Sequence, residues 1–167
     1  MIRAIVLTGS PGSGKSSVLQ ALASLLDSDK VPHAVIESEQ LASGYPWLPE
    51  EQAYAVLAEV CRVQRGFGRR LFLIAATTET DAHISGLLAA IAADEHTVVC
   101  LEATPETAAR RVHEREPAEW HGRDELVETA RRLATQIPSL NGIDLHVSTE
   151  GRHPRAVARE IRDRLRL

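Results

Sequence analysis

The chain reads as an α/β protein organised around a mostly parallel sheet, and three observations predict this. Five short apolar runs are spaced along it, "AIVLT" (4–8), "AVIE" (34–37), "LFLIAA" (71–76), "TVVCLEA" (97–103) and "IDLHVST" (143–149). Most are continuous rather than alternating, which suits strands covered on both faces. Helical patterns lie between them, and strand–helix alternation is the signature of parallel pairing. No repeat, low-complexity tract or linker divides the 167 residues, so they are read as one domain, 1–167.

The helices follow from periodicity and punctuation. After a glycine-rich loop, Val18, Leu22 and Leu25 recur on one face. Pro49 followed by Glu50 and Glu51 marks a helix start that runs to about Arg65 and stops before "GFG". A third helix covers 82–93. Thr104 as N-cap and Pro105 at the first position open a fourth, through about Arg115. A fifth covers 124–136 and is halted by Pro138, and Pro154 opens the last. In that last helix Val157, Ile161 and Leu165 form one stripe, so the arginines of "RAVAREIRDRLR" are read as a solvated face rather than a nucleic-acid surface.

Composition narrows the function classes. Hydrophobic residues make up 44% and charged residues 25%, ordinary globular material. A formal charge of −4 argues against a chain that coats nucleic acid, where a basic field is usual. Cys61 and Cys100 show no metal spacing and are expected to be free thiols. No signal-peptide order and no membrane-length apolar run is present, so a soluble, cytoplasmic protein without membrane partners is expected.

The informative stretch is Gly9-Ser10-Pro11-Gly12-Ser13-Gly14-Lys15-Ser16, which fits G-x-x-x-x-G-K-[ST] at the first strand-to-helix junction. Glycines let the backbone fold into a nest whose N–H groups converge on phosphate oxygens, and the following helix adds its positive end. Lys15 is placed to reach the β and γ phosphates of ATP, and the Ser16 hydroxyl to ligate Mg²⁺. The nucleotide is expected to lie along residues 9–17, Ser17 included.

Around this loop the chain resembles the small P-loop kinases of metabolites: shikimate and gluconate kinases, adenylyl-sulfate kinase, chloramphenicol phosphotransferase and nucleoside monophosphate kinases. The resemblance covers nearly the whole chain and implies a P-loop NTPase three-layer sandwich. Its five-stranded parallel sheet would run in the order 2-3-1-4-5, with helices on both faces. Three stretches carry the resemblance. "VIESEQLA" stands where several of these kinases place D-x-D, one acid supporting Mg²⁺ and the other holding or deprotonating the acceptor. Here the positions read Glu37 and Glu39. As neighbours at i and i+2 of a strand end they would share a side; an acidic surface turn is the other reading.

"VVCLEATPETAARRVHERE" matches the strand, capped helix and lid entry of these kinases, and gives Arg111 and Arg115 the lid positions with Arg110 beside them. Such arginines neutralise charge on a transferring phosphoryl group. The alternative is an i, i+4 salt-bridge face with Glu106, Glu114 and Glu116. "VSTEGRHPRAVAREI" matches their final turn at Thr149, Gly151, Arg152 and Pro154, with Ser148 in place of an acid. The turn would flank adenine and Arg152 would stack on it, unless it is an ordinary strand-to-helix turn.

The segment 40–68 lies where these kinases keep their acceptor-binding element and holds Tyr45, Trp47 and Tyr54. Trp47 is either a packing wedge or a pocket wall. Arg62 and Arg65 either grip an anionic acceptor or are solvated. Thr77, Thr78 and Glu79 end the third strand on the side where ligands of parallel sheets bind. The lid is assigned to 113–124, with Trp120, His121 and Arg123; His113 and His121 are read as solvent-facing. The expected function is ATP- and Mg²⁺-dependent phosphotransfer to a small-molecule hydroxyl or phosphate acceptor, with an alcohol preferred. The alternative is an ATP-binding switch without such an acceptor. The acceptor's identity and the oligomeric state stay open at this level.

Overall fold

The computed structural model describes residues 1–167. Five strands, β1 (Arg3–Thr8), β2 (His33–Glu37), β3 (Leu71–Ala75), β4 (Glu95–Glu102) and β5 (Leu145–Ser148), form one sheet in the order β2-β3-β1-β4-β5. All four pairings are parallel. Seven helices connect or flank them: α1 (Lys15–Ser28), α2 (Ser38–Ala42), α3 (Glu50–Gly66), α4 (Asp81–Ile91), α5 (Pro105–Arg115), α6 (Arg123–Gln136) and α7 (Pro154–Leu165). The fold is the three-layer P-loop sandwich.

Burial along each strand reflects its place in the sheet. Central β3 is buried at every residue and β1 at all but Arg3, whereas edge strands β2 and β5 alternate. Period-two alternation sends successive residues of β1 to opposite faces. Ile5 and Leu7 pack with Leu19, Leu22 and Leu26 of α1 and Val157 of α7; Ala4 and Val6 pack with Leu57 of α3 and Leu87 of α4. Two cores of this kind sandwich the sheet, and truncating one fully buried leucine such as Leu22 would cost about 2–5 kcal/mol.

Helix ends follow the expected chemistry. The Thr104 side chain accepts from Thr107 N at the start of α5, with Pro105 in the first turn. Pro138 falls in a 3-10 turn, Ile137–Ser139, that ends α6. Pro49 is the N-cap of α3 rather than its first helical residue. The short α2 is the one helix the periodicity does not reveal, since five residues are too few to show a period. No helix is long and apolar enough to cross a membrane.

Candidate active site

The carboxyl ends of β1, β2 and β3 converge on a cleft. The glycine loop leaves β1 and enters α1 with Gly12 at φ 80° and Gly14 at φ 97°. Both values lie in the left-handed region that only glycine occupies at low cost. A Cβ on Gly12 would also collide with the backbone of Ala108, because α5 rests directly on the loop. Lys15 Nζ donates to Gly9 O at 2.8 Å and Ser10 O at 3.1 Å, so its ammonium lies across the mouth of the loop. Burial lowers Lys15 to about 8; Glu39 and Glu37 oppose that shift and Arg115 adds to it.

The two predicted acids are both near this lysine, by different geometry from that expected. Glu37 ends β2 and its Oε2 accepts from Ser16 Oγ at 2.8 Å. Glu39 is not on the strand but in the first turn of α2, where its Oε1 accepts from Thr77 N at 2.5 Å. The turn of α2, rather than strand pleat, brings both carboxylates to one cleft. A serine hydroxyl paired with a carboxylate is a hard-oxygen set of the kind Mg²⁺ selects, and the glycine nest beside it suits phosphate.

Lys15, Ser16 and Ser17 line a polar cavity of about 190 Å³, closed on its far side by Arg111 and Arg115. Arg111 is a tether as well as a wall: Nη1 donates to Gly12 O and to Thr149 Oγ1, both at 3.2 Å, and Nη2 to Thr149 O at 3.1 Å. Arg115 stands at the rim, exposed and paired with Glu116. Arg110 points outward and pairs with Glu114, as the salt-bridge reading of this helix face requires.

A second cavity of about 230 Å³ shares Gly14, Ser17 and Arg111 with the first and continues to Thr149, Arg152 and Pro154. Arg152 lines it while donating to Ser148 O at 2.9 Å and pairing with Glu160 at 2.7 Å. Thr149 is the hub of this region. Its buried Oγ1 lies 2.9 Å from Ser13 O and 3.1 Å from Glu102 O, so its single proton serves one carbonyl at a time.

On the other side of Glu39 lies a third cavity, of about 350 Å³. Helices α2, α3 and α4 and the end of β3 form its walls, through Glu39, Trp47, Tyr54, Thr77 and Thr78 among others. Trp47 is therefore a pocket wall, 60% exposed, whereas Tyr45 is fully exposed. Thr8 at the end of β1 and Thr78 share a buried hydroxyl–hydroxyl hydrogen bond of 2.6 Å, which joins this pocket to the root of the glycine loop.

Neither Arg62 nor Arg65 lines the pocket: Arg62 pairs with Glu59, and Arg65 donates to the carbonyls of Ile91 and Ala92 and stacks on Phe72. Glu79 pairs with Arg132. His113 and His121 are exposed, and Trp120 is 46% exposed in the α5–α6 connection.

Two pocket residues carry no sequence signal. Glu50, legible only as a first-turn acid of α3, meets His83 Nε2 at 2.8 Å. His83 at the third position of α4 donates its backbone N–H to the Thr80 cap and accepts Glu79 N–H on Nδ1 at 3.3 Å. A Thr-x-x-His start to a helix predicts the cap, but nothing predicts a partner from a distant helix.

The profile of the family described as "AAA domain" matches residues 5–137. No curated protein matches the chain. Among solved structures, shikimate kinase from Acinetobacter baumannii in complex with shikimate is 18% identical over 99% of this chain and 93% of its own, with a TM-score of 0.60. APS kinase from Mycobacterium tuberculosis, in complex with AMPPNP and APS, is 17% identical over 99% of this chain and 98% of its own, with a TM-score of 0.64. A tunicamycin resistance protein from Deinococcus radiodurans is 16% identical over 100% of this chain and 97% of its own, with a TM-score of 0.67. The fold is thus the one used by small P-loop kinases, in agreement with the resemblance.

Proposed function

The chain belongs to the AAA domain family, and from that premise and the geometry of the cleft we propose that it is an ATP- and Mg²⁺-dependent phosphotransferase acting on a small-molecule acceptor. A hydroxyl acceptor fits better than a phosphate. One observation carries the reading: a phosphate-type loop and a separate 350 Å³ pocket meet across a pair of carboxylates, Glu37 on the Ser16 hydroxyl and Glu39 on the pocket wall. The 350 Å³ pocket gives an acceptor a place across Glu39 from the phosphate loop.

The roles follow from position. The loop from Gly9 to Ser17 cradles the phosphates, and Lys15 exchanges the carbonyls of Gly9 and Ser10 for β and γ oxygens. Ser16 and Glu37 would hold Mg²⁺, which would supply counter-charge for the phosphate oxygens. Arg152 and the 149–154 turn flank the base. Glu39 uses one oxygen to accept Thr77 N–H, which fixes its orientation. Its other oxygen takes the acceptor's hydroxyl proton as the acceptor oxygen bonds to the γ-phosphorus and the bond to the ADP oxygen breaks. Arg111 and Arg115 balance the negative charge that spreads over the transferring group. The lid assigned to 113–124 would close over the cleft and keep water from competing with the acceptor. Solved structures that share the fold include a shikimate kinase in complex with shikimate and an APS kinase in complex with AMPPNP and APS, so the same fold carries acceptors of unlike chemistry.

The test is ADP release measured with ATP, Mg²⁺ and a panel of nucleosides, sugars, sugar acids and antibiotics. An acceptor that raises ADP release well above the background supports the reading. In that case Glu39→Gln should lower turnover by roughly 10²–10⁴-fold while affinity for an ATP analogue is kept. Slow hydrolysis indifferent to every acceptor would instead favour a nucleotide-dependent switch.

A further inference from the structure

We propose that the pocket beside Glu39 selects an acceptor that carries an amine, that is, a cationic hydroxyl compound with a flat or apolar body. The inference rests on the phosphotransferase reading for the word acceptor, but its evidence is the charge of the pocket. No lysine or arginine lines it. Two carboxylates do, Glu39 on the phosphate side near Lys15 and Glu50 at the start of α3, whose side chain is about half exposed.

The histidine beside Glu50 does not cancel this charge. His83 Nδ1 accepts the Glu79 N–H, so the ring proton sits on Nε2 and is donated to Glu50. His83 thus offers a lone pair to Glu79 N–H on one ring nitrogen and a proton to Glu50 on the other. Tyr54, beside the same carboxylate, is pushed up to about 12 by burial and by Glu50, so it stays a neutral phenol and adds no charge of either sign at physiological pH.

The nearby arginines are held elsewhere: Arg62 by Glu59, Arg65 by carbonyls at the end of α4, and Arg132 by Glu79. An anionic acceptor entering here would face two carboxylates with no cation among the lining residues, Lys15 lying beyond Glu39 on the phosphate side, which is unfavourable. An ammonium group meets the reverse: a carboxylate at Glu50 and an aromatic side chain, Trp47, on the pocket wall. Leu48 and Leu87 supply the apolar contact for the body of the molecule, and its hydroxyl is left for Glu39.

Three probes of one shape isolate charge: tyramine, tyrosol and 4-hydroxyphenylacetate share a phenol ring and end in an ammonium, a hydroxyl and a carboxylate. Each is titrated by calorimetry into the full chain saturated with Mg²⁺ and AMPPNP. Tyramine should bind at least about tenfold more tightly than 4-hydroxyphenylacetate, with tyrosol between them. Glu50→Gln should bring tyramine to within about twofold of tyrosol and leave AMPPNP affinity as it was. Equal or tighter binding of the carboxylate overturns the assignment, as does failure of all three to bind up to their solubility limits. An unchanged tyramine-to-tyrosol ratio in Glu50→Gln does the same, and the wild-type order decides alone if that variant does not fold. ADP release with ATP in place of the analogue scores the kinase reading separately: a pocket that ranks the probes by charge without turnover sinks that reading and keeps this one.

Discussion

The two sides of Glu39 are built from different materials. On one side the phosphate cleft is lined without a single hydrophobic residue, and its shape comes from backbone: a glycine loop, a helix start and two arginines. On the other, seven of the thirteen lining residues are hydrophobic, the charges are acidic, and the shape comes from side chains on three helices. A backbone-built site must keep its residue types whatever it binds to phosphate. A side-chain-built site can change its ligand by changing a few residues, because no φ angle or helix terminus depends on them.

The sharpest way to break this contrast is to remove the one side chain the loop cannot replace. Lys15→Met should lower phosphotransfer by roughly 10²–10³-fold, since Lys15 is the cation seated on the loop carbonyls of Gly9 and Ser10. Its melting midpoint should stay near that of the wild type, because the loop's own carbonyls lose only a partly exposed partner.

Next comes pH. Lys15 must be charged to hold phosphate, and in the free protein its value is lowered to about 8. Affinity for an ATP analogue should therefore be flat below pH 8 and weaken above it, by up to about tenfold per unit. Tyramine binding should not follow the same curve, since Glu50 lies across Glu39 from the lysine. Parallel curves would erase the distinction between the two sides.

A smaller effect is expected from the hub behind the cleft. Thr149→Val keeps the shape and deletes the hydroxyl that bridges Ser13, Glu102 and Arg111. A loss of about 1–3 kcal/mol in unfolding free energy should appear in urea titration, since the buried Ser13 and Glu102 carbonyls and the Arg111 donor lose a partner. Smallest of all, Arg110→Ala removes an exposed pair with Glu114 and should change stability by less than about 0.5 kcal/mol and turnover hardly at all. A large effect of Arg110→Ala on turnover would mean that the wrong face of α5 has been assigned to the cleft.

The same division explains how much was legible in the sequence. The sheet order and the loop could be read because both rest on local rules: continuous apolar runs for central strands, and glycines where φ must be positive. Arg111 could be assigned to the cleft by its position one turn before Arg115, yet its bonds to Gly12 and Thr149 join residues far apart in the chain. Glu39 does lie near Glu37 and the loop, but in the first turn of a five-residue helix rather than at the strand end that the i, i+2 argument assumes. Glu50 and His83 could not be found, since their pairing depends on how α3 packs against α4. Arg62 and Arg65 were ambiguous for the same reason, and packing resolved both away from the pocket.

The contact of α5 with the loop has a mechanical meaning. Gly12 has no side chain to hold Ala108 off, Arg111 ties the same helix to Gly12 and Thr149, and Glu150 on the following turn accepts from Thr104 N and Thr107 Oγ1 at the helix start. Loop, helix and turn thus form a three-way brace, each tied to the other two. A substitution that shifts α5 would therefore bear on the glycine loop and on the 149–154 turn together.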